Sequence, residues 1–189
     1  MAVQSPVAGP IAGLAFTTTQ VAAAAAGLAW MLVERWHHGK ATSLGLASGI
    51  VAGLVAITPA AGHVHPSSAL IIGGLASVVC YGAVQMKGHL GFDDTLDAFG
   101  VHGVGGALGA LLTGVFCFTP VAGLVAGDFT QLGKQAIGVL VAVVFSGIGT
   151  AILALLVDKT LGLRVSEQFE RDGLDISIHG ERGYHLEQA

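Results

Sequence analysis

The stretch GFDDTLDAFGVHGVGGALGALLTGVF, running from Gly91 to Phe116, decides what kind of molecule this chain is. Three acids, Asp93, Asp94 and Asp97, stand just ahead of an apolar run. That run is rich in glycine and carries a single ionisable group, His102. In hydrocarbon such a group is expensive, and where one occurs it faces a bundle interior or a water-filled path. Glycine weakens helices in water, whereas between membrane helices it lets backbones approach closely.

The rest of the chain identifies the solvent. Of 189 residues, 53% are hydrophobic and only 11% charged, and the mean hydropathy is +0.75. Soluble domains carry roughly 25% charged residues, so most of this surface must face lipid or other helices. Glycine accounts for 29 positions. The net charge of −4 and the lack of a basic stripe argue against nucleic acid as a partner. Cys80 and Cys117 both lie in apolar runs and read as small buried hydrophobes. No basic region precedes the first apolar run, so no cleaved signal peptide is expected.

A membrane-spanning helix needs about 20 mostly apolar residues, and five such runs fit: about Ile11 to Val33, Ser43 to Ala61, Ser68 to Met86, Ala98 to Phe118 and Gln135 to Val157. The expected fold is therefore all-α, a polytopic membrane bundle of five transmembrane helices. A short extramembrane lead (1–10) precedes it, the transmembrane region covers 11–158, and a charged tail (159–189) follows. In the first span, Thr17 to Gln20 are expected to face protein, and Trp30 and Trp36 to sit near the interface. In the second, Gly45, Gly49 and Gly53 recur every four residues as a ridge for close packing. Thr58-Pro59 breaks that span, because proline lacks a donor and disfavours helix in its predecessor.

Basic residues give the orientation. Seven of the eight Lys and Arg (Arg35, Lys40, Lys87, Lys159, Arg164, Arg171 and Arg182) fall on one side, and only Lys134 on the other. The tail is thus expected in the cytoplasm and the start of the chain on the opposite side of the cell membrane.

His102 is the sharpest candidate site. A neutral imidazole donates at one nitrogen and accepts at the other, so it can pass a proton or hold a small polar solute; the plainer reading is a histidine bonded to a neighbouring helix. Gly103, Gly105, Gly106 and Gly109 leave one surface nearly bare for close packing. Asp93, Asp94 and Asp97 read as a helix entrance, capping free amides and favoured by the helix dipole. A metal site is not expected, since Asp97 and His102 are roughly 140° apart on an α-helix. The loop pairs His37-His38 and His63-x-His65 read as solvated. Thr58 is a candidate for the lining of a pathway, because broken spans are tolerated where they line a cavity. No nucleophile–base pair or metal cluster has usable spacing, so neither an enzyme nor a cofactor is expected.

Three motifs together are specific. The pattern FDDxxDxFGVHGVGGxxGxxxTGxF resembles the tenth-helix signature of the ammonium transporter family (Amt/Mep/Rh), GLVAITPAAGHV its broken eighth helix, and GLRVSEQFERDGLDISIHGERGY its cytoplasmic C-terminus. Family members are eleven-helix trimers with a narrow hydrophobic pore in each protomer, lined by one histidine from each inverted repeat. The resemblance makes His102 the second-repeat histidine, places Thr58 beside the pathway, and matches this chain to helices seven through eleven plus the tail. The first-repeat histidine, the aromatic gate and the outer acid belong to helices that have no counterpart here. The implied function is ammonium or ammonia transport as a partial chain, with no transport by this polypeptide alone. The alternative is a non-conducting fragment or a regulatory module acting through the tail. On that alternative, Gly162, Arg164, Glu170, Arg171, Asp172, Gly173, Asp175, His179 and Gly180 would make regulatory contacts, with a PII signal protein as partner.

Overall fold

The computed structural model describes residues 9–91 and 93–181. The lead up to Ala8, Phe92 of the central motif, and the tail from Arg182 onward lie outside the described residues. Helices are α1 (Pro10–His38), α2 (Ser43–Ile57), α3 (Pro66–Leu90), α4 (Phe99–Phe116), α5 (Phe129–Thr160), α6 (Glu167–Asp172) and α7 (Leu174–Ser177). Two compact units divide at Val141: the first holds α1 to α4 and the start of α5, the second the rest of α5 with α6 and α7.

Ends are set by local chemistry. α1 and α3 each begin with proline in the first turn, where the missing N–H costs nothing. Thr42 caps α2 by accepting the Gly45 N–H at 2.9 Å, and Glu34 holds Thr42 in turn through its N–H at 2.9 Å and its hydroxyl at 2.8 Å. Four helices, α1, α3, α4 and α5, are long and apolar enough to cross a membrane. The 15 residues of α2 reach only about 22 Å at 1.5 Å per residue, short of the expected end at Ala61. The shortfall comes from Pro59. The Thr58 N–H tightens onto the Val55 carbonyl at 3.3 Å, and the Thr58 hydroxyl satisfies the Leu54 carbonyl at 2.7 Å. Hydrogen-bonded turns then carry the chain to His63.

The glycine ridge of α2 meets α1 in antiparallel register. Gly45 lies against Glu34, Gly49 against Trp30 and the Ala26 carbonyl, and Gly53 against Ala22, where an added Cβ would come within 2.6 Å of a carbonyl oxygen. Gly73 of α3 packs on the backbone of the same Ala22. Ala22 and Ala26 are fully buried, so one small-residue crossing joins three helices. Above it Trp30 packs edge-on to Tyr81, with centroids 5.3 Å apart. Trp30 is therefore core rather than interfacial, and only Trp36 is exposed. Of the polar group in α1, Thr18 is buried while Thr17 and Gln20 are exposed, because a run of four consecutive residues cannot share one helix face.

Ser77 donates to the Ala26 carbonyl at 2.8 Å in a buried setting. Ser77→Ala is expected to destabilise the bundle by about 0.6 to 1.7 kcal/mol, the range for hydrogen bonds between membrane helices, read by thermal unfolding in detergent.

The fifth span starts at Phe129 rather than Gln135, which places Lys134 inside a helix rather than in a loop. Asp128 explains the earlier start: its carboxylate accepts the Thr130 N–H at 2.8 Å. That backbone bond, aided by the Thr130 hydroxyl, holds the Asp128 carboxyl below its ordinary range. A depressed folded pKa means that the cap is intact above the ordinary carboxylate range and lost as pH falls. The protection of the Thr130 amide, its exchange rate referred to the unstructured rate at the same pH, is expected to fall as pH drops through the carboxylate range and to hold above it.

Candidate functional site

The acids of the central motif divide their work. Asp94 is the cap: its two carboxylate oxygens accept the N–H groups of Ala98 at 2.8 Å and Phe99 at 3.0 Å. Asp97 instead turns away to form an ion pair with Lys87, and its backbone takes a left-handed φ of 56°, a region that aspartate tolerates better than most residues. Asp93 accepts the Thr95 hydroxyl at 3.2 Å. Asp94→Ala is expected to cost about 0.5 to 2 kcal/mol, the range for a lost helix cap, and to expose the amides of Ala98 and Phe99 to hydrogen exchange.

Helix α4 does not begin as an α-helix. Phe99–Gly103 form a π turn, closed by the Val104 N–H bonding the Phe99 carbonyl. Single π turns within α-helices occur frequently at functional sites, and this one carries His102. The 140° separation of Asp97 and His102 assumed α geometry and does not hold. A π turn closes over five residues, and Asp97 lies outside it with its carboxylate committed to Lys87. Two glycines, Gly100 and Gly103, sit in the turn. Gly100 is buried, and a Cβ there would meet Val84 of α3 at 2.9 Å.

The His102 side chain is exposed and makes no hydrogen bond to the described residues, while Gly100 and Val101 beside it are buried. The turn thus anchors its backbone inward and presents an imidazole outward. Of the four glycines expected to allow close packing, two do. Gly105 lies against Cys80, where a Cβ would be 3.0 Å from the sulfur, and Gly109 lies against the Ala56 backbone. A Cβ at Gly106 would make only an ordinary 3.9 Å contact, and at Gly103 it would meet only its own Phe99. The four positions therefore split into a packed pair on α2 and α3 and an open pair nearer the imidazole.

Thr58 is exposed, its hydroxyl proton committed to Leu54 as above. The loop histidines do more than meet solvent. His63 Nδ1 lies 2.9 Å from the Thr119 carbonyl, the Phe118 N–H bonds the His63 carbonyl at 3.0 Å, and His65 stacks on Phe118 at 3.9 Å. These contacts tie the broken end of α2 to the end of α4. His37 and His38 belong to the last turn of α1 rather than to a loop, and His37 Nδ1 meets the Tyr81 hydroxyl at 2.8 Å. The spacing of polar residues in sequence could not reveal either partner, since Thr119 and Tyr81 are distant along the chain.

In the second unit, Ser166 caps α6 through the Phe169 N–H at 3.3 Å. Arg164 pairs with Glu170 at 3.2 Å and Arg171 with Glu167 at 3.3 Å. These pairs are exposed and contribute little each, but with Val165 they line a hollow of about 550 Å³. Gly173 joins α6 to α7 at φ 93°, a conformation suited to glycine. Ser177 donates to the Gly173 carbonyl at 2.7 Å, and the Glu181 N–H bonds the Asp175 carbonyl at 2.9 Å. Asp172 ends α6, Gly162 and Gly180 have positive φ, and the His179 N–H bonds the Leu174 carbonyl at 3.3 Å.

Comparison with known proteins agrees along most of the chain. Residues 2–184 match the model of the Ammonium Transporter Family. An ammonium transporter of Mycobacterium bovis is 48% identical over 95% of this chain and 40% of its own length. One from Aquifex aeolicus is 48% identical over 93% of this chain and 42% of its own. The crystal structure of Saccharomyces cerevisiae Mep2 superposes with a TM-score of 0.79 at 38% identity, covering 84% of this chain and 38% of Mep2. A structure described as a sensor Amt protein superposes with a TM-score of 0.79 at 32% identity, covering 90% of this chain and 42% of its own. The chain spans about two fifths of the length of the relatives it matches. Its apolar helices, its packing and these relatives lead to one conclusion: the chain is a multi-pass membrane protein that belongs to the ammonium transporter family.

Proposed function

We propose that this chain forms one wall of an ammonium pathway across the cell membrane, with its tail in the cytoplasm. The carrying observation is His102, exposed on a π turn anchored by the buried Gly100 and Val101, with both ring nitrogens free of the described residues. Ammonium reaching the pathway hydrogen-bonds to the acceptor nitrogen of the imidazole and leaves its proton there, and neutral ammonia passes on. The neutral species is favoured because a desolvated cation costs several kcal/mol or more. Thr58 lies along the same route, where its hydroxyl oxygen can still accept. The wall is completed by the portion of the family fold to which these residues do not correspond, and the complete protein assembles as a trimer.

Methylammonium flux into proteoliposomes is the test. These 189 residues alone are expected to carry none, and the same residues co-assembled with the complementary portion of a family member are expected to carry it. Flux from these residues alone, or none from the co-assembly, would overturn the reading.

A second role rests on the paired charges and the hollow of the tail. The tail docks a cytoplasmic regulator of the PII type, a reading supported by the likeness to a sensor Amt protein. Pull-down of PII protein is expected to be lost when residues from Gly162 onward are deleted, and an unchanged pull-down would end this second role.

A further inference from the structure

Resting on the reading of His102 as the pathway imidazole, we propose that a single stripe of α3, Cys80, Val84 and Lys87, positions that imidazole by holding the π turn in register. The three residues recur at i, i+4 and i+7 and so share one helix face. Each grips a different part of the segment that delivers His102. Lys87 donates to the Asp94 carbonyl at 2.6 Å and pairs with the Asp97 carboxylate, with side-chain exposures of 26% and 29% for Lys87 and Asp97. It thereby fixes both ends of the short loop whose Asp94 caps the turn. Val84 fills the notch left by Gly100, where any Cβ would come within 2.9 Å of its methyl carbon. Cys80 directs its thiol at the Val101 carbonyl at 3.8 Å, in a buried setting.

The stripe matters because a π turn competes with ordinary α geometry through the same residues, and α geometry is the usual winner. Changing from one register to the other moves the residues after the turn by one position on the helix, about 100° of rotation. His102 lies inside the turn, so the change would re-aim its side chain by part of that rotation. In the observed register Val84 packs against Gly100 and Cys80 reaches the Val101 carbonyl. Lys87 acts on the loop that enters the turn. None of the three need touch the transported molecule, so they are positioning residues.

The experiment uses the whole chain in lipid nanodiscs. Lys87→Met is expected to speed hydrogen exchange at the amides of residues 98–103 by about tenfold or more, with α1 unchanged as the internal control. The same variant is expected to change the rate at which diethyl pyrocarbonate modifies His102, resolved from the other histidines by peptide mass spectrometry. Lys87→Arg, which keeps a charge and donors, is expected to restore both. If Lys87→Met also loosens α1, Val84→Ala carries the same measurement without touching a charge. Exchange and His102 reactivity within about twofold of the parent in the folded variant would overturn the proposal. Failure of the pathway reading would show separately, as undiminished flux in a His102 variant, and would leave these two readouts unaffected.

Discussion

Replacing His102 by alanine is expected to lower methylammonium flux by about tenfold to a hundredfold in vesicles holding this chain with the complementary portion of a family member. The magnitude follows from the interaction lost: a hydrogen bond to a charged group contributes about 1.5 to 3 kcal/mol, and each 1.4 kcal/mol is a factor of ten. The effect falls on transport and not on folding. His102 is exposed and bonds none of the described residues, so helix content and melting temperature are expected to be unchanged. A drop in flux that tracked a drop in stability would instead mark His102 as structural.

Gly73→Leu is expected to have the largest effect on stability. Overpacking a filled site costs typically 1 to 3 kcal/mol and occasionally more. Here the added atoms would meet the backbone of Ala22, including its carbonyl, and backbone cannot rotate aside as a side chain can. Since Gly53 packs on the same carbonyl, α2 would be displaced along with α3, which places the cost at the upper end, about 3 kcal/mol. The neighbouring Gly74→Ala is the control. A Cβ there meets nothing within 4 Å, and helix propensity favours alanine by about 0.8 to 1 kcal/mol. Thermal unfolding in detergent should therefore separate two adjacent glycines by opposite signs. Equal effects would mean that the three-helix crossing at Ala22 is not the core of the bundle.

The all-helical membrane fold was legible because hydropathy and glycine content act over whole segments, where local exceptions average out. The α2 ridge was legible for a similar reason: a repeat of four residues matches the helix surface, and Gly45, Gly49 and Gly53 all meet α1. What sequence could not supply was any feature decided by a distant partner. Trp30 lies near the end of an apolar run, which reads as interfacial, but Tyr81 draws it into the core. The three acids look equivalent in sequence, and only the position of Lys87 on α3 separates the cap, Asp94, from the ion-pair partner, Asp97. The π turn left one trace, the glycines flanking Val101 and His102, which relieve crowding at Val84 and Phe99. That trace gains meaning only once α3 is in place. The early end of α2 was signalled by Pro59, whereas the histidine ties that follow it depend on a loop more than fifty residues away along the chain.

The central claim is that the His102 imidazole meets ammonium, and the most direct measurement is its own nitrogen resonance. With 15N-labelled histidine in the co-assembled protein, and His102→Ala to assign the signal, ammonium is expected to shift the His102 resonance saturably while sodium at equal concentration leaves it in place. A His102 resonance indifferent to ammonium, in a preparation that still conducts methylammonium, would contradict it.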